Sequence, residues 1–228
     1  METLDKHKIF ELLSSRFDEE KKLSHIPNPA LLKDGTKAAK RIAQAIKNNE
    51  KITLVGDYDV DGVTSTAIMA DFFSRIPYPL TTIIPNRFSD GYGVSPTVLE
   101  RIDADLIITV DNGISALAAA DICKDRGIDL IITDHHTPGD QLPDAYAIVD
   151  PKLDGCEYPF KEICGAEVAW LVLGLLKKEL LLNINMKEFL DILCIGIIAD
   201  VMPLVDINRT LVREGLKVLQ NSKRPASV

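Results

Sequence analysis

The chain has 228 residues, enough for one large domain or two small ones, and 46% hydrophobic against 26% charged residues is the balance of a soluble globular protein. A formal net charge of −8 gives no broad attraction to nucleic acid or anionic membrane, although bound metal ions can reverse the field at one site. Four cysteines without a CxxC pair argue against a structural zinc site and a disulfide framework. The charged start METLDKHKIF is unlike a signal peptide, and the longest apolar run, VAWLVLGLL from Val168, is too short to span a bilayer. No membrane partner is expected, and a reducing cytoplasm is the simplest location.

Residues 1–35 read as a lead-in broken by Pro27 and Pro29. Ala39, Ile42, Ala43 and Ile46 then recur at helical spacing. KITLVGD is a short β-branched strand, and GVTSTAIMADFFSRI a helix leaving it, with a cap expected near Thr64 or Ser65. LTTIIP is a second strand. SPTVLERI starts a helix with Ser95 as N-cap and Pro96 in the first turn. The pentapeptide Asp-Leu-Ile-Ile-Thr occurs at Asp105 and again at Asp129, an offset of 24, with the alanine-rich helix ISALAAADICKDRG between. Strand, helix and strand at that distance make a βαβ unit with parallel strands. AYAIVDP supplies another strand. Beyond Pro159 the chain reads as three helices, with Trp170 in the core. The expected fold is α/β: a mainly parallel sheet with helices on both faces over 36–205 and a helical C-terminal extension, 206–228 beginning a connecting helix.

In open parallel sheets ligands bind beyond the carboxyl ends of the strands, and the polar clusters fall there. Asp57, Asp59 and Asp61 follow ITLV, Asp111 and Asn112 follow LIITV, and Asp134, His135 and His136 follow LIIT. Aligning the near-repeat makes Asp111 and His135 equivalent. A single aspartate after a strand is most often a cap or turn former, and a single histidine most often structural. The whole set on one sheet edge instead demands positive charge in its midst. Carboxylate oxygens with imidazole nitrogen suit Mn²⁺, Mg²⁺, Fe²⁺ or Zn²⁺, and so many carboxylates suit two ions and in-line phosphoryl transfer. Asp200, near the end of the greasy helix ILCIGIIADVMP, joins the set because a carboxylate there is costly unless paired or metal-bound. Asp150 in IVDPK competes, but turn chemistry explains it. No Walker loop, GxGxxG or GxSxG occurs.

GDYDVDG at Gly56, VDNG at Val110 and DHH at Asp134 resemble the DHH phosphoesterase superfamily. RFSDGYGVS from Arg87, DHHTPGDQLPDAYAIVDPK from Asp134, YPFKEICGAEVAW from Tyr158 and GIIADVMPLVDINRTLVREGL from Gly196 resemble its RecJ branch of single-strand-specific 5′→3′ DNA exonucleases, over about residues 25–220. The resemblance implies two divalent cations, Mn²⁺ first and Mg²⁺ second, held directly by Asp59, Asp61, a bridging Asp111, His135 and Asp200. Asp57, Asp134 and His136 would orient ligands, contact phosphate or assist proton transfer. Arg87, Asn112, Gly113 and Tyr92 would meet the substrate, with a salt bridge for Arg87 and a loop anchor for Tyr92 as alternatives. It also implies single-stranded DNA as partner, alongside repair or replication proteins, in repair and recombination. Such proteins carry a second half, so this chain reads as the catalytic half and is expected to cleave weakly or not at all alone. Glu167 stands where the family tends to have a glycine. The rival expectations are another DHH phosphodiesterase, acting on short RNA or cyclic dinucleotides, and a non-catalytic module in a replication or repair assembly.

Overall fold

Four runs, ITLV, LIITV, DLIIT and AIV, become strands whose residues are almost all buried: β1 (Ile52–Val55), β3 (Leu106–Val110), β4 (Asp129–Thr133) and β5 (Ala147–Val149). Burial on both faces is why they read as continuous apolar runs and not as alternating ones. β2 (Thr81–Ile83) is the more exposed edge. The computed structural model describes residues 5–14, 21–222 and 224; parts of the expected lead-in and C-terminal segment, residues 1–4, 15–20, 223 and 225–228, lie outside them. The helices are α1 (Lys6–Ser14), α2 (Gly35–Asn48), α3 (Val60–Ser74), α4 (Pro96–Leu99), α5 (Leu117–Asp125), α6 (Gly165–Glu179), α7 (Leu190–Ala199) and α8 (Asp206–Leu219).

All strands are parallel in the order β2-β1-β3-β4-β5. Side chains alternate between two cores. Leu54, Leu106, Ile108, Val110, Ile131 and Val149 pack with α2, α3, α6, α7 and α8; Val55, Ile107, Leu130, Ile132 and Ile148 pack with α4 and α5. Helices therefore cover both faces, as the sequence implies. The chain winds outward in both directions from β1 and β3, so the switch point where such sheets open a crevice lies between these two strands.

The structure corrects two sequence expectations. α3 starts at Val60, not after Thr64 or Ser65: Asp59 is its N-cap, and Asp59 Oδ1 accepts from Gly62 N at 2.8 Å. Thr64 and Ser65 are buried within the helix, and Thr64 Oγ1 donates to Val60 O at 2.8 Å. The β3–β4 ladder pairs Leu106 with Asp129 and Val110 with Thr133, one residue off the sequence repeat. Asp111 thus stands opposite the start of the Asp-His-His segment, its N–H donating to Thr133 O at 2.9 Å.

α7 is apolar almost all round, which a helix tolerates only when enclosed, and it packs between α3, α6 and α8. Contact with α8 is close at Gly215, where an added Cβ would lie 2.5 Å from Cys194 Cβ and closer still to the Leu190 carbonyl. Gly215→Ala is expected to destabilise the fold by about 1–3 kcal/mol through overpacking, read as a fall of about 2–4 °C in Tm per kcal/mol in a chain of this size. An unchanged melting curve would show that α7 and α8 can part at no cost.

Candidate metal centre

The carboxyl ends of β1, β3 and β4 meet the N-terminus of α6 and the C-terminus of α7. Asp61, in the first turn of α3, is buried and aimed at α6: its Oδ2 accepts from Gly165 N at 2.6 Å and its Oδ1 from Ala166 N at 3.1 Å. Free N–H groups at a helix start hold a carboxylate in this way. Asp111 follows β3 with φ +60, a left-handed conformation uncommon outside glycine and concentrated at functional sites. Val201, directly after Asp200, has φ +56, a sharper outlier for a β-branched residue. Backbone strain therefore accompanies two of the carboxylates.

His135 is buried among three acids: its Nε2 lies 3.2 Å from Asp111 Oδ1, 3.6 Å from Asp200 Oδ2 and 3.7 Å from Asp61 Oδ2. Ligand atoms of Asp61, His135 and Asp200 fall within 4.8 Å of one another, as do those of Asp57, Asp59 and Asp111, and those of Asp111, His135 and His136. Both oxygens of Asp111, both nitrogens of His135, Asp200 Oδ2 and Asp57 Oδ2 are buried with no hydrogen-bond partner among the described residues. Burial and the neighbouring Asp61 and Asp59 push the Asp111 carboxyl up to about 11, and burial with Asp61 and Asp59 raises Asp200 to about 6. Burial lowers His135, keeping the imidazole neutral. Unpartnered carboxylate oxygens facing a neutral imidazole are uncompensated in a protein interior. Divalent cations would satisfy the carboxylate oxygens and the acceptor nitrogen of His135, so the residues present fit them.

Asp134 is fully engaged. Its Oδ1 accepts from His135 N at 2.7 Å and His136 N at 3.1 Å and lies 2.7 Å from His136 Nδ1, while its Oδ2 accepts from Ile114 N at 2.9 Å. Burial opposes its ionisation, but these hydrogen bonds outweigh burial and hold it below the usual carboxylate range. The hydrogen bond to Asp134 raises His136, whose side chain is about half exposed at the mouth of the centre. Burial raises Asp57, while its Oδ1 accepts from Tyr58 N at 2.7 Å.

The four residues expected to meet substrate divide. Arg87 is exposed and stacks 5.5 Å from the centroid of the Tyr58 ring; it has no carboxylate partner among the described residues. Tyr92 packs edge-on against Tyr58 at 6.1 Å and its hydroxyl donates to Asp111 O at 3.4 Å, which favours the loop-anchor reading. Asn112 is wholly buried: its Oδ1 accepts from Val94 N at 3.0 Å and its Nδ2 donates to Val55 O at 3.1 Å and Val110 O at 2.8 Å. It has no polar atom left for a substrate and instead ties the 86–95 loop to β1 and β3. Gly113 is also buried; at φ +114 it makes the turn after β3 where a Cβ would meet Thr109 Oγ1 at 2.8 Å.

Three features at the centre go beyond the sequence reading, which explained Asp150 by turn chemistry and assigned Glu167 no role. Asp150 is fully buried, and burial raises it to about 7. Glu167, on α6, is buried with neither carboxylate oxygen partnered, and burial holds it well above the usual range. Gly165 has no room for a side chain, since a Cβ would lie 2.5 Å from Asp111 Oδ1. Gly165→Ala is expected to displace Asp111 and weaken divalent-metal binding by roughly 10–100-fold, the range for disturbing groups that orient ligands. Calorimetric titration checks this, and unaltered affinity would remove Asp111 from the ligand set.

Residues 51–197 match the DHH family, N-terminal domain. The chain is 45% identical over 200 residues to the single-stranded-DNA-specific exonuclease RecJ of Bacillus subtilis (strain 168), covering 86% of this chain and 25% of that protein. Its fold is similar to a crystal structure of exonuclease RecJ bound to manganese, with TM-score 0.76 and 37% identity, covering 84% of this chain and 49% of that one. It is also similar to a crystal structure of RecJ in complex with Mn²⁺ from Thermus thermophilus, with TM-score 0.73 and 36% identity, covering 87% of this chain and 29% of that one. The chain thus spans between a quarter and a half of the length of these relatives. The matched segment carries the β1, β3 and β4 ends with their carboxylates and histidines, and the chain belongs to the DHH family.

Proposed function

We propose that the chain is the catalytic portion of a divalent-metal-dependent phosphodiesterase of RecJ type, removing mononucleotides from the 5′ end of single-stranded DNA in repair and recombination. The observation that carries this reading is the set of buried, unpartnered carboxylate and imidazole atoms around Asp111 and His135. Its similarity to a single-stranded-DNA-specific exonuclease and to two manganese-bound RecJ structures supports the substrate and ion.

Asp59, Asp61, Asp111, His135 and Asp200 would hold two ions, Mn²⁺ or Mg²⁺, with Asp111 shared and Asp57 near enough to contribute. Bound ions supply Lewis-acid neutralisation of phosphate charge and an activated water. The chain's own groups do the rest. Asp134 fixes the His136 ring through Nδ1, leaving the other ring nitrogen to donate to a phosphate oxygen or to the departing 3′ oxygen. Arg87, stacked on Tyr58, offers an exposed guanidinium to the strand. The N-terminus of α6 keeps Asp61 aimed. A cytoplasmic setting accords with this chemistry, and no helix among the described residues is long and apolar enough to cross a membrane.

The test is hydrolysis of 5′-labelled and 3′-labelled single-stranded DNA, duplex DNA, short RNA and a cyclic dinucleotide in Mn²⁺, with and without chelator. The expected outcome is weak, chelator-sensitive release of mononucleotides from the 5′ end of single-stranded DNA. Preference for RNA or a cyclic dinucleotide would assign the chain to another DHH activity, and metal-independent cleavage would refute the reading.

A further inference from the structure

We propose that Lys152 is a phosphate-binding residue of this centre, its ammonium holding a phosphodiester of the nucleic-acid strand on the β5 side, opposite Arg87. The proposal rests on the phosphodiesterase reading. It starts from sheet register. Thr133 pairs with Val149, and Asp134 N donates to Val149 O at 3.1 Å, so the chains leaving β4 and β5 run side by side. Asp134, His135 and His136 thereby lie alongside Asp150, Pro151 and Lys152. The turn is pinned: the buried Asp150 carboxylate accepts from Lys152 N at 2.7 Å. A lysine is thus fixed at the main chain beside His136 while its long side chain stays partly exposed.

Charge balance supports this placement. Elsewhere guanidinium groups face carboxylates, as Arg41 faces Glu50 and Asp129, and Arg101 faces Asp90. Among the described residues Lys152 Nζ has no hydrogen-bond or ion-pair partner, in a chain of net charge −8. The other ammonium groups at this loop meet its main-chain carbonyls, Lys161 Nζ donating to Cys156 O at 2.7 Å and Lys33 Nζ, from the segment before α2, to Asp154 O at 2.9 Å. The positive charge of Lys152 favours the ionised forms of Asp150 and Asp200 and opposes charging of both histidines, each as a minor contribution, so the ammonium stands within electrostatic reach of the centre without being tied to any of them. An untied ammonium on a pinned turn beside a metal-binding cluster is placed to take the anionic oxygens that metal ions leave uncovered. With Arg87 on the β1 side, cations flank the carboxylates on either hand.

The test uses Lys152→Ala and Lys152→Arg in the full chain, with Mn²⁺ and single-stranded oligonucleotide. Lys152→Ala is expected to raise KM about 10-fold with kcat within about twofold, since one charged ground-state contact is removed. It should also reduce the slope of log affinity against log salt by about 0.7, the value for one phosphate contact on a single strand. Lys152→Arg should restore most of both. Circular dichroism melting and calorimetric Mn²⁺ titration confirm that each variant is folded and binds metal. Unchanged KM and salt slope in Lys152→Ala overturn the proposal, as does a fall in kcat alone or failure of Lys152→Arg to rescue. A wild-type chain that binds Mn²⁺ yet neither binds nor cleaves single-stranded DNA overturns the functional reading instead, and Lys152 with it.

Discussion

Asp111→Asn is expected to make the metal-free protein more stable while reducing hydrolysis by roughly 1,000-fold or more. The opposite signs share one cause. Asp111 is buried beside Asp61 and Asp59 with neither carboxylate oxygen partnered, and its carboxyl is pushed up from 3.8 to about 11. A group whose folded pKa is raised binds a proton in the folded state that the unfolded chain has released. Its contribution is fully present below about pH 4 and lost as pH rises toward the folded value. The metal-free fold should therefore lose stability steadily as pH rises through neutrality. Asparagine removes the ionisable group and offers an amide N–H to the neighbouring carboxylates. The gain should be about 1–2 kcal/mol at neutral pH, or about 2–8 °C in Tm at the usual size scaling, with a flatter dependence on pH. Hydrolysis falls if Asp111 is the shared ligand proposed above, because its loss then forfeits several kcal/mol of charge neutralisation, and each 1.36 kcal/mol is a factor of ten in rate. Thermal melts across pH, beside a nuclease assay, check both signs. A destabilised Asp111→Asn protein would mean that Asp111 is held by the fold for the fold's own sake.

Divalent metal should act on the wild-type protein in the reverse sense. Mn²⁺ at about 100 times its dissociation constant is expected to add about 2.7 kcal/mol by mass action, or about 5–11 °C, and chelator should remove it. Asp111 must lose its proton to become a ligand, so binding should release protons and strengthen as pH rises. Titrations in buffers of different ionisation heat measure that release directly. Asp134 should contribute nothing to it: hydrogen bonds from Ile114, His135 and His136 already keep it ionised. Binding without proton release would mean that Asp111 is ionised before the metal arrives, contradicting the strain assigned to the metal-free centre.

The strands were legible because burial on both faces leaves little but apolar residues, and because the polar clusters that follow each one are abrupt. The repeated Asp-Leu-Ile-Ile-Thr correctly marked two adjacent parallel strands. It misjudged their pairing by one residue, since register is set by packing of the whole sheet and not by local likeness. The start of α3 was hidden by dual use: Asp59 belongs to the acidic cluster and also caps the helix, so hydroxyl residues deeper in the helix looked like the better cap. Asn112 and Gly113 sit in a motif next to the chemistry, yet one is an internal brace and the other a turn. Membership in a motif does not say whether a side chain faces the ligand or the protein. Lys152 carried no signal because its place beside His136 depends on the pairing of β4 with β5. Glu167 was noticed only as an oddity. Its complete burial without a partner is a structural fact that no spacing rule announces.

The claim on which the rest depends is that the acids and histidines at the ends of β1, β3 and β4 hold a pair of divalent ions. Equilibrium titration of the metal-free chain with Mn²⁺, followed by calorimetry and direct metal analysis, tests it most directly. Two ions per chain are expected for the wild type, with both lost or severely weakened in Asp111→Asn. A wild-type chain that binds no Mn²⁺, or an Asp111→Asn chain that binds two as tightly as before, would contradict it.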